Sequence, residues 1–460
     1  MTHVDRRTFL RGAAGGVATL LAAACATPRV SETVPGTALV IGAGASGLAA
    51  ARRLVEAGQT VTVLEARDRI GGRAWTSDAL GPPLDLGASW IHGTTGNPLV
   101  PLARAAGTRF TRTSFDRFGT YTPDGRRLRW PEERPLWERW QAVDIAASNR
   151  ARDGGEESVA DALAEARANA GPPPDGVDAE LLEGYLDWAA EVEIGADRAA
   201  DLTELSVATL IDGEALDGLW VMLDGGYRSI LEPVAAGMDI RLEHEVGSIG
   251  WSETGVEARV ADAVFRADRA VVTLPLGVLQ GDGVAFEPAL PGVVADAIDR
   301  LGMGSFLKVA MRFQERDFPG GTDWLGRIGE PTFREWVDLQ PVTSAPIVVG
   351  FATGSEARRL EALGDDAVVA EALAAYRTIV PEVQEPSASV VTRWGRDPFA
   401  RGSYSYLAVG SRPEDRAVLA EPLGPRLVLA GEATSVQYPS TVHGAWSSGI
   451  AAAERLLERA

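Results

Sequence analysis

Between Ala38 and Glu65 the chain spells a complete nucleotide-binding unit. An apolar run, Ala38-Leu39-Val40-Ile41, leads into Gly42-Ala43-Gly44-Ala45-Ser46-Gly47, then a helical stretch Leu48 to Ala57 closed by Gly58, then a second run Thr60 to Leu64 ending in Glu65. Few folds accept the order strand, G-x-G-x-x-G, helix, strand, because two parallel strands need a right-handed crossover between them. Each residue type has a mechanical reason. Gly42 permits the tight turn, Gly44 lets the backbone N–H groups of Gly44, Ala45 and Ser46 approach a pyrophosphate, and Gly47 lets the helix lie close on the strand. Glu65, about 20 residues past the glycines, can accept both ribose hydroxyls and repels a 2′-phosphate, which argues against NADP. The unit reads as a Rossmann-type α/β domain that takes a dinucleotide.

A chain of 460 residues leaves room for that domain and a second one with its own core. The formal charge of −20 and a pI near 4.8 argue against nucleic acid as a partner, since such affinity comes from neutralising phosphates, and suit a cationic small molecule instead. Of 44 basic residues only Lys308 is a lysine; every other is an arginine. A lone lysine in an arginine background marks a place that needs a compact ammonium of tunable pKa. Cys25 is the only cysteine, so no internal disulfide, no cysteine-ligated metal and no thiol nucleophile is available, and no metal site is expected.

Residues 1–26 read as a twin-arginine signal: Asp5-Arg6-Arg7-Thr8-Phe9-Leu10-Arg11, a glycine- and alanine-rich stretch from Gly12 to Ala24, then Cys25-Ala26. The stretch is too short and too glycine-rich to span a bilayer. Cleavage after Ala26 gives a soluble exported protein, periplasmic or extracellular; cleavage before Cys25 gives a lipid-anchored one. The first is favoured, because Ala22-Ala23-Ala24-Cys25 lacks the larger aliphatic usual before a lipidated cysteine. Without these residues, which carry three arginines and one aspartate, the charge becomes −22. A route that exports folded proteins through the twin-arginine machinery suits a cofactor inserted before export.

After Glu65 the chain continues Ala66-Arg67-Asp68-Arg69-Ile70-Gly71-Gly72-Arg73-Ala74-Trp75. A second glycine pair followed by arginine suits a cofactor that runs on past the first helix, which indicates FAD rather than NAD. Here E-A-R-D-R-I-G-G-R after a Rossmann unit resembles the flavin-containing amine oxidase family. The resemblance continues in order through Asp85 to Gly93 (D-L-G-A-S-W-I-H-G), Asp224-Gly225-Gly226-Tyr227, Val271 to Leu279, Lys308-Val309, Trp394 with Asp397 to Tyr406, and Leu427 to Ser435 running into Tyr438 to Ala445. It is strongest toward polyamine and spermine oxidases and the amine oxidase domain of lysine-specific histone demethylases.

The resemblance implies a Rossmann-type FAD-binding domain assembled from three segments, 35–94, 219–281 and 392–460, with 95–218 and 282–391 forming an α+β substrate domain. In the latter, Glu156 to Ala168 and Ala179 to Val192 have helical spacing around the Gly171-Pro172-Pro173-Pro174 break, and Ile347 to Phe351 reads as a strand of a sheet over the flavin. It implies noncovalent FAD held by Gly42, Gly44, Ala45, Ser46, Gly47, Glu65, Ala66, Arg67, Gly72, Arg73, Gly87, Ala88, Ser89, Trp90, Val246, Trp394, Gly431, Glu432, Thr441 and Val442. Ser403 stands where covalently flavinylated relatives have a cysteine. The implied activity is hydride transfer from the carbon next to an amine nitrogen to flavin N5, with O2 or a periplasmic electron carrier as acceptor, and polyamines as substrates.

Four residues are implied on the amine side: Lys308 near a water at N5, Tyr404 on the pocket wall, Thr441 where some members carry a second tyrosine, and His92 toward the distal amine. His443 fits a turn at the start of the last helix better than a substrate contact. Glu183, Asp187, Glu191 and Glu193 form an acidic helix edge that could hold distal ammonium groups, although such an edge is more often a solvated face. An L-amino-acid or other monoamine oxidase is the alternative; the amino-acid oxidase would need a carboxylate-binding arginine, for which Arg312, Arg327 and Arg334 are open. A flavin-binding protein without chemistry is disfavoured by the presence of both Lys308 and Tyr404.

Overall fold

A computed structural model describes residues 36–113, 117–329 and 332–459. The signal reading of residues 1–26, with Cys25, lies outside them. Five parallel strands form the first layer, in the order Leu427–Leu429, Arg269–Val272, Thr37–Ile41, Thr60–Leu64, Asp239–Arg241. Three separate stretches of chain supply these strands. Val40, Val63, Val271 and Val428 are buried on one face, as expected of strands covered on both sides. Helix Ala45–Glu56 and the last helix, Val442–Glu458, pack side by side on that face. Their approach is close enough that a Cβ on Gly449 would stand 2.0 Å from the Ser46 carbonyl oxygen.

Residues beyond 281 also pack on the cofactor side. Strand Ala285–Glu287 pairs in parallel with Ser248–Trp251, and helix Gly292–Arg300 buries Val294, Ala297 and Ile298 in the same core as Leu39 and Ile41. Residues 285–301 thus join this core by packing and strand pairing and not by any nucleotide motif.

The other half is built on a six-stranded sheet in the order Ala388–Val391, Phe306–Arg312, Ile347–Thr353, Glu335–Asp338, Trp324–Arg327, Phe118–Tyr121. Helices Trp130–Arg152, Val159–Asn169 and Ala179–Ala190 share a core of Trp140, Leu163, Tyr185 and Leu186 beside it. The first of these was not anticipated from the sequence; Pro135 stands inside it and cannot donate to the carbonyl four residues back, so one rung of that helix is missing. Along Phe306–Arg312 the side chains alternate: Leu307, Val309 and Met311 face helices Gly354–Glu361 and Asp365–Arg377, while Phe306 and Lys308 face the first layer.

Candidate active site

One cavity runs between the two halves, and it is lined by Lys308, Tyr404, Thr441, His92 and every residue expected above to hold FAD except Gly47. Gly47 serves the close approach instead: a Cβ there would sit 1.9 Å from the Gly42 carbonyl oxygen. Gly44 is the opposite case, with nothing within 4 Å of where its Cβ would be. It caps helix Ala45–Glu56 without any side-chain hydrogen bond, which leaves the first N–H groups of that helix directed at open space. The second glycine pair folds back on this loop, Gly71 N–H donating to the Ala43 carbonyl at 2.9 Å. Glu65 is buried and oriented by two backbone donors, Ala43 N–H at 2.7 Å and Arg67 N–H at 2.9 Å. An uncapped helix end, bare glycine backbone and a fixed carboxylate are what a dinucleotide's pyrophosphate and ribose need, so the chain's residues fit FAD here.

At the far side of this cradle Arg73 donates to Glu432 Oε1 at 2.9 Å and to the Ser403 carbonyl at 3.0 Å. Glu432 also takes Ser405 Oγ–H at 2.6 Å, and Ser405 Oγ in turn accepts from the fully buried Arg416. Burial opposes the Glu432 charge, yet Arg73, the Ser405 hydrogen bond and Arg416 together hold its pKa below the usual carboxylate value. Its carboxylate is thus occupied within the protein, and Arg73 and Ser403 are drawn to the wall by it. Trp394 reaches the same wall edge-on to Trp75 and donates to the Leu86 carbonyl at 3.3 Å.

The amine side is aromatic. Trp90, Trp324, Phe351, Phe306 and Tyr404 follow one another with ring centroids 5.3 to 6.4 Å apart. Tyr404 is fixed by its hydroxyl on the Ala196 carbonyl at 2.8 Å. His92 packs edge-on against Trp220 at 4.3 Å. Thr441 lines the cavity, and its hydroxyl caps the last helix, accepting from Gly444 N–H at 2.9 Å. His443, one turn position further, is buried against Tyr438, and burial pulls its pKa down to about 4, so the ring is neutral.

The acidic edge is turned away from this cavity. None of Glu183, Asp187, Glu191 and Glu193 lines it; Asp187 pairs with Arg167 and Glu191 with Arg334. On helix Ala179–Ala190 the inner face is taken by Leu182, Tyr185 and Leu186, which leaves Glu183 and Asp187 exposed, while Glu191 and Glu193 lie half-buried in the segment that follows. Arg312, Arg327 and Arg334 do not line the cavity either, Arg312 and Arg327 donating to the carbonyls of Leu80 and Pro123. Among the carboxylates that do line the cavity is Glu335, buried in strand Glu335–Asp338 and opposite Phe351 of the aromatic wall. Trp220, Phe306, Trp324, Glu335 and Phe351 were not singled out from the sequence. The i, i+2 spacing of Phe306 and Lys308 was the one local signal for any of them.

A sequence profile described as flavin containing amine oxidoreductase matches residues 45–457. Polyamine oxidase 4 of Oryza sativa subsp. japonica is 34% identical over 443 residues, covering 92% of this chain and 89% of the relative. Probable polyamine oxidase 4 of Arabidopsis thaliana is 33% identical over 447 residues, covering 92% and 87%. A solved putrescine oxidase bound to putrescine shares the fold with a TM-score of 0.76 at 21% identity, over 93% of this chain and 100% of that one.

Proposed function

The chain belongs to the flavin containing amine oxidoreductase family, with FAD as its cofactor, and from that premise we propose that it oxidises amines with a second cationic centre, of the diamine and polyamine class. The observation that carries the reading is a row across the six-stranded sheet. Lys308 stands opposite Phe351, and Phe351 opposite Glu335, all three lining the cavity. Two strand spacings put the backbones of Lys308 and Glu335 on the order of 10 Å apart. A lysine at the reacting end, aromatic rings between, and a buried carboxylate beyond suit a substrate with an apolar linker and a charged far end. The relatives named for polyamines point the same way.

Bound FAD supplies a hydride acceptor. The chain's part is to hold the C–H at the cavity wall, exclude water with Tyr404, Phe306 and Phe351, and disfavour the charged form of the reacting nitrogen by apolar surroundings. Reoxidation by O2 and export through the twin-arginine route, read from Arg6-Arg7, complete the proposal. An amino-acid oxidase draws no support from Arg312, Arg327 and Arg334, which stand away from the cavity.

The test is anaerobic mixing of the purified flavoprotein with spermine, spermidine, putrescine, their acetylated forms, simple monoamines and L-amino acids while following flavin absorbance. Bleaching by di- and polyamines is expected, with colour returning on admission of air. Faster bleaching by a monoamine or an amino acid overturns the substrate class, and colour that fails to return in air overturns O2 as acceptor.

A further inference from the structure

The chain's single lysine is gripped by a single turn. Lys308 Nζ donates to the Gly87 carbonyl at 2.5 Å, to Ser89 Oγ at 2.6 Å and, more loosely, to the Asp85 carbonyl at 3.4 Å. All three acceptors come from the five residues Asp85 to Ser89, so the three donors of an ammonium meet a ready set of oxygens. The turn is itself locked. Ser89 Oγ–H reaches the Asp85 and Gly87 carbonyls at 3.2 and 3.3 Å, and a Cβ on Gly87 would collide with the Arg73 carbonyl oxygen at 1.7 Å. The Asp85 carboxylate behind it is buried and accepts from Thr76 Oγ1 at 2.6 Å and from Tyr227 N–H at 3.0 Å.

Few other charges reach this lysine. The flanking strands, Ile347–Thr353 and Ala388–Val391, contain no charged residue. Helices Gly354–Glu361 and Asp365–Arg377 carry several, but they pack on the opposite face of the strand with Leu307, Val309 and Met311. Glu335 lies on the same face two strands away, and Arg228, paired with Asp78, acts on Asp85 from outside. The Trp90 ring lies 5.6 Å from Nζ.

We infer that Ser89 and Asp85 are positioning residues for Lys308: the Ser89 hydroxyl fixes where the ammonium stands on the cavity wall, and the Asp85 carboxylate is its buried counter-ion. Burial pulls the Lys308 pKa down to about 8, and Asp85 raises it against that trend; burial likewise lifts Asp85 to about 6, with Thr76, Tyr227 and then Lys308 opposing. Between those values both groups are charged, and the lysine gives up its proton as pH rises through about 8. The socket also explains why arginine, the cation used everywhere else, is absent here: a planar fork of five donors does not fit three oxygens converging on one point.

The inference rests on Lys308 belonging to the amine-oxidising site but not on which amine is oxidised. With one lysine in the chain, lysine labelled at its side-chain carbon and nitrogen gives a single side-chain NMR signal in the FAD-loaded protein, read without turnover. Asp85→Asn keeps an oxygen for Thr76 and Tyr227 but removes the charge, so the lysine titration midpoint should fall. Thr76→Val, a milder change, should move it the same way by less. Ser89→Ala should shift the lysine signal and slow the Lys308-dependent flavin half-reaction by about tenfold, with Ser89→Thr restoring both; FAD content and melting temperature like wild type show that the fold is kept. A midpoint unmoved in both Asp85→Asn and Thr76→Val, or a signal unmoved in Ser89→Ala, overturns the inference. A responsive lysine in a protein whose flavin no polyamine bleaches would uphold it while removing the substrate reading.

Discussion

Glu65 and Glu335 are both buried carboxylates on the wall of one cavity, and they reach it by different routes. Glu65 ends a strand that pairs directly with the strand before the glycine loop, and its carboxylate is held by Ala43 N–H, only 22 residues away. Glu335 stands in the fourth strand of a sheet whose members come from residues 118 to 391, and it meets Lys308 only through the register of two antiparallel pairings. The cofactor cradle is made mostly of backbone, so its chemistry is set by where side chains are missing. The amine chamber is made of side chains, so its chemistry is set by which strands end up neighbours.

The sharpest way to break the cradle is to fill it. Gly47→Val places atoms where the Gly42 carbonyl oxygen already lies, and we expect almost no flavin-loaded protein, read as visible absorbance per polypeptide. Glu65→Ala leaves two buried backbone donors without their acceptor, at about 1–3 kcal/mol each, and should weaken FAD retention roughly tenfold or more. A holoprotein yield equal to wild type would contradict the ribose assignment.

Changes in the chamber should leave the flavin in place. Lys308→Met should retain FAD yet slow flavin reduction or reoxidation in stopped-flow traces by about tenfold or more; unaltered rates of both half-reactions would remove Lys308 from the chemistry. Glu335→Gln should be the smallest and most selective change, raising the KM for a diamine by about tenfold while leaving that for a monoamine nearly as it was. Equal losses for both substrates would make Glu335 structural.

Much of the cradle was legible along the chain because its parts are local. Gly42, Gly44 and Glu65 act through turn geometry and one strand pairing, and the second glycine pair returns to the same loop. Residues 282–301 carry no nucleotide motif, so nothing along the chain announces that Val294, Ala297 and Ile298 join that core by packing. On the amine side, the visible acidic run from Glu183 to Glu193 does not line the cavity, while Glu335, inside an Arg-Glu-Trp-Val-Asp stretch, gave no periodic signal that one side faces it. Thr441, read as an open place in the wall, is also the cap of a 17-residue helix, a role visible only once Gly444 N–H is seen to donate to it.

The amino-acid sequence by itself determined the dinucleotide unit, the singular lysine and the chemical family, because these depend on residue types at short, fixed spacings. Only the tertiary structure decided that Glu335 lines the cavity in a row with Lys308, and that Ser89 and Asp85 surround Lys308, because those meetings arise from strand order and, for the last, from burial between segments about 220 residues apart.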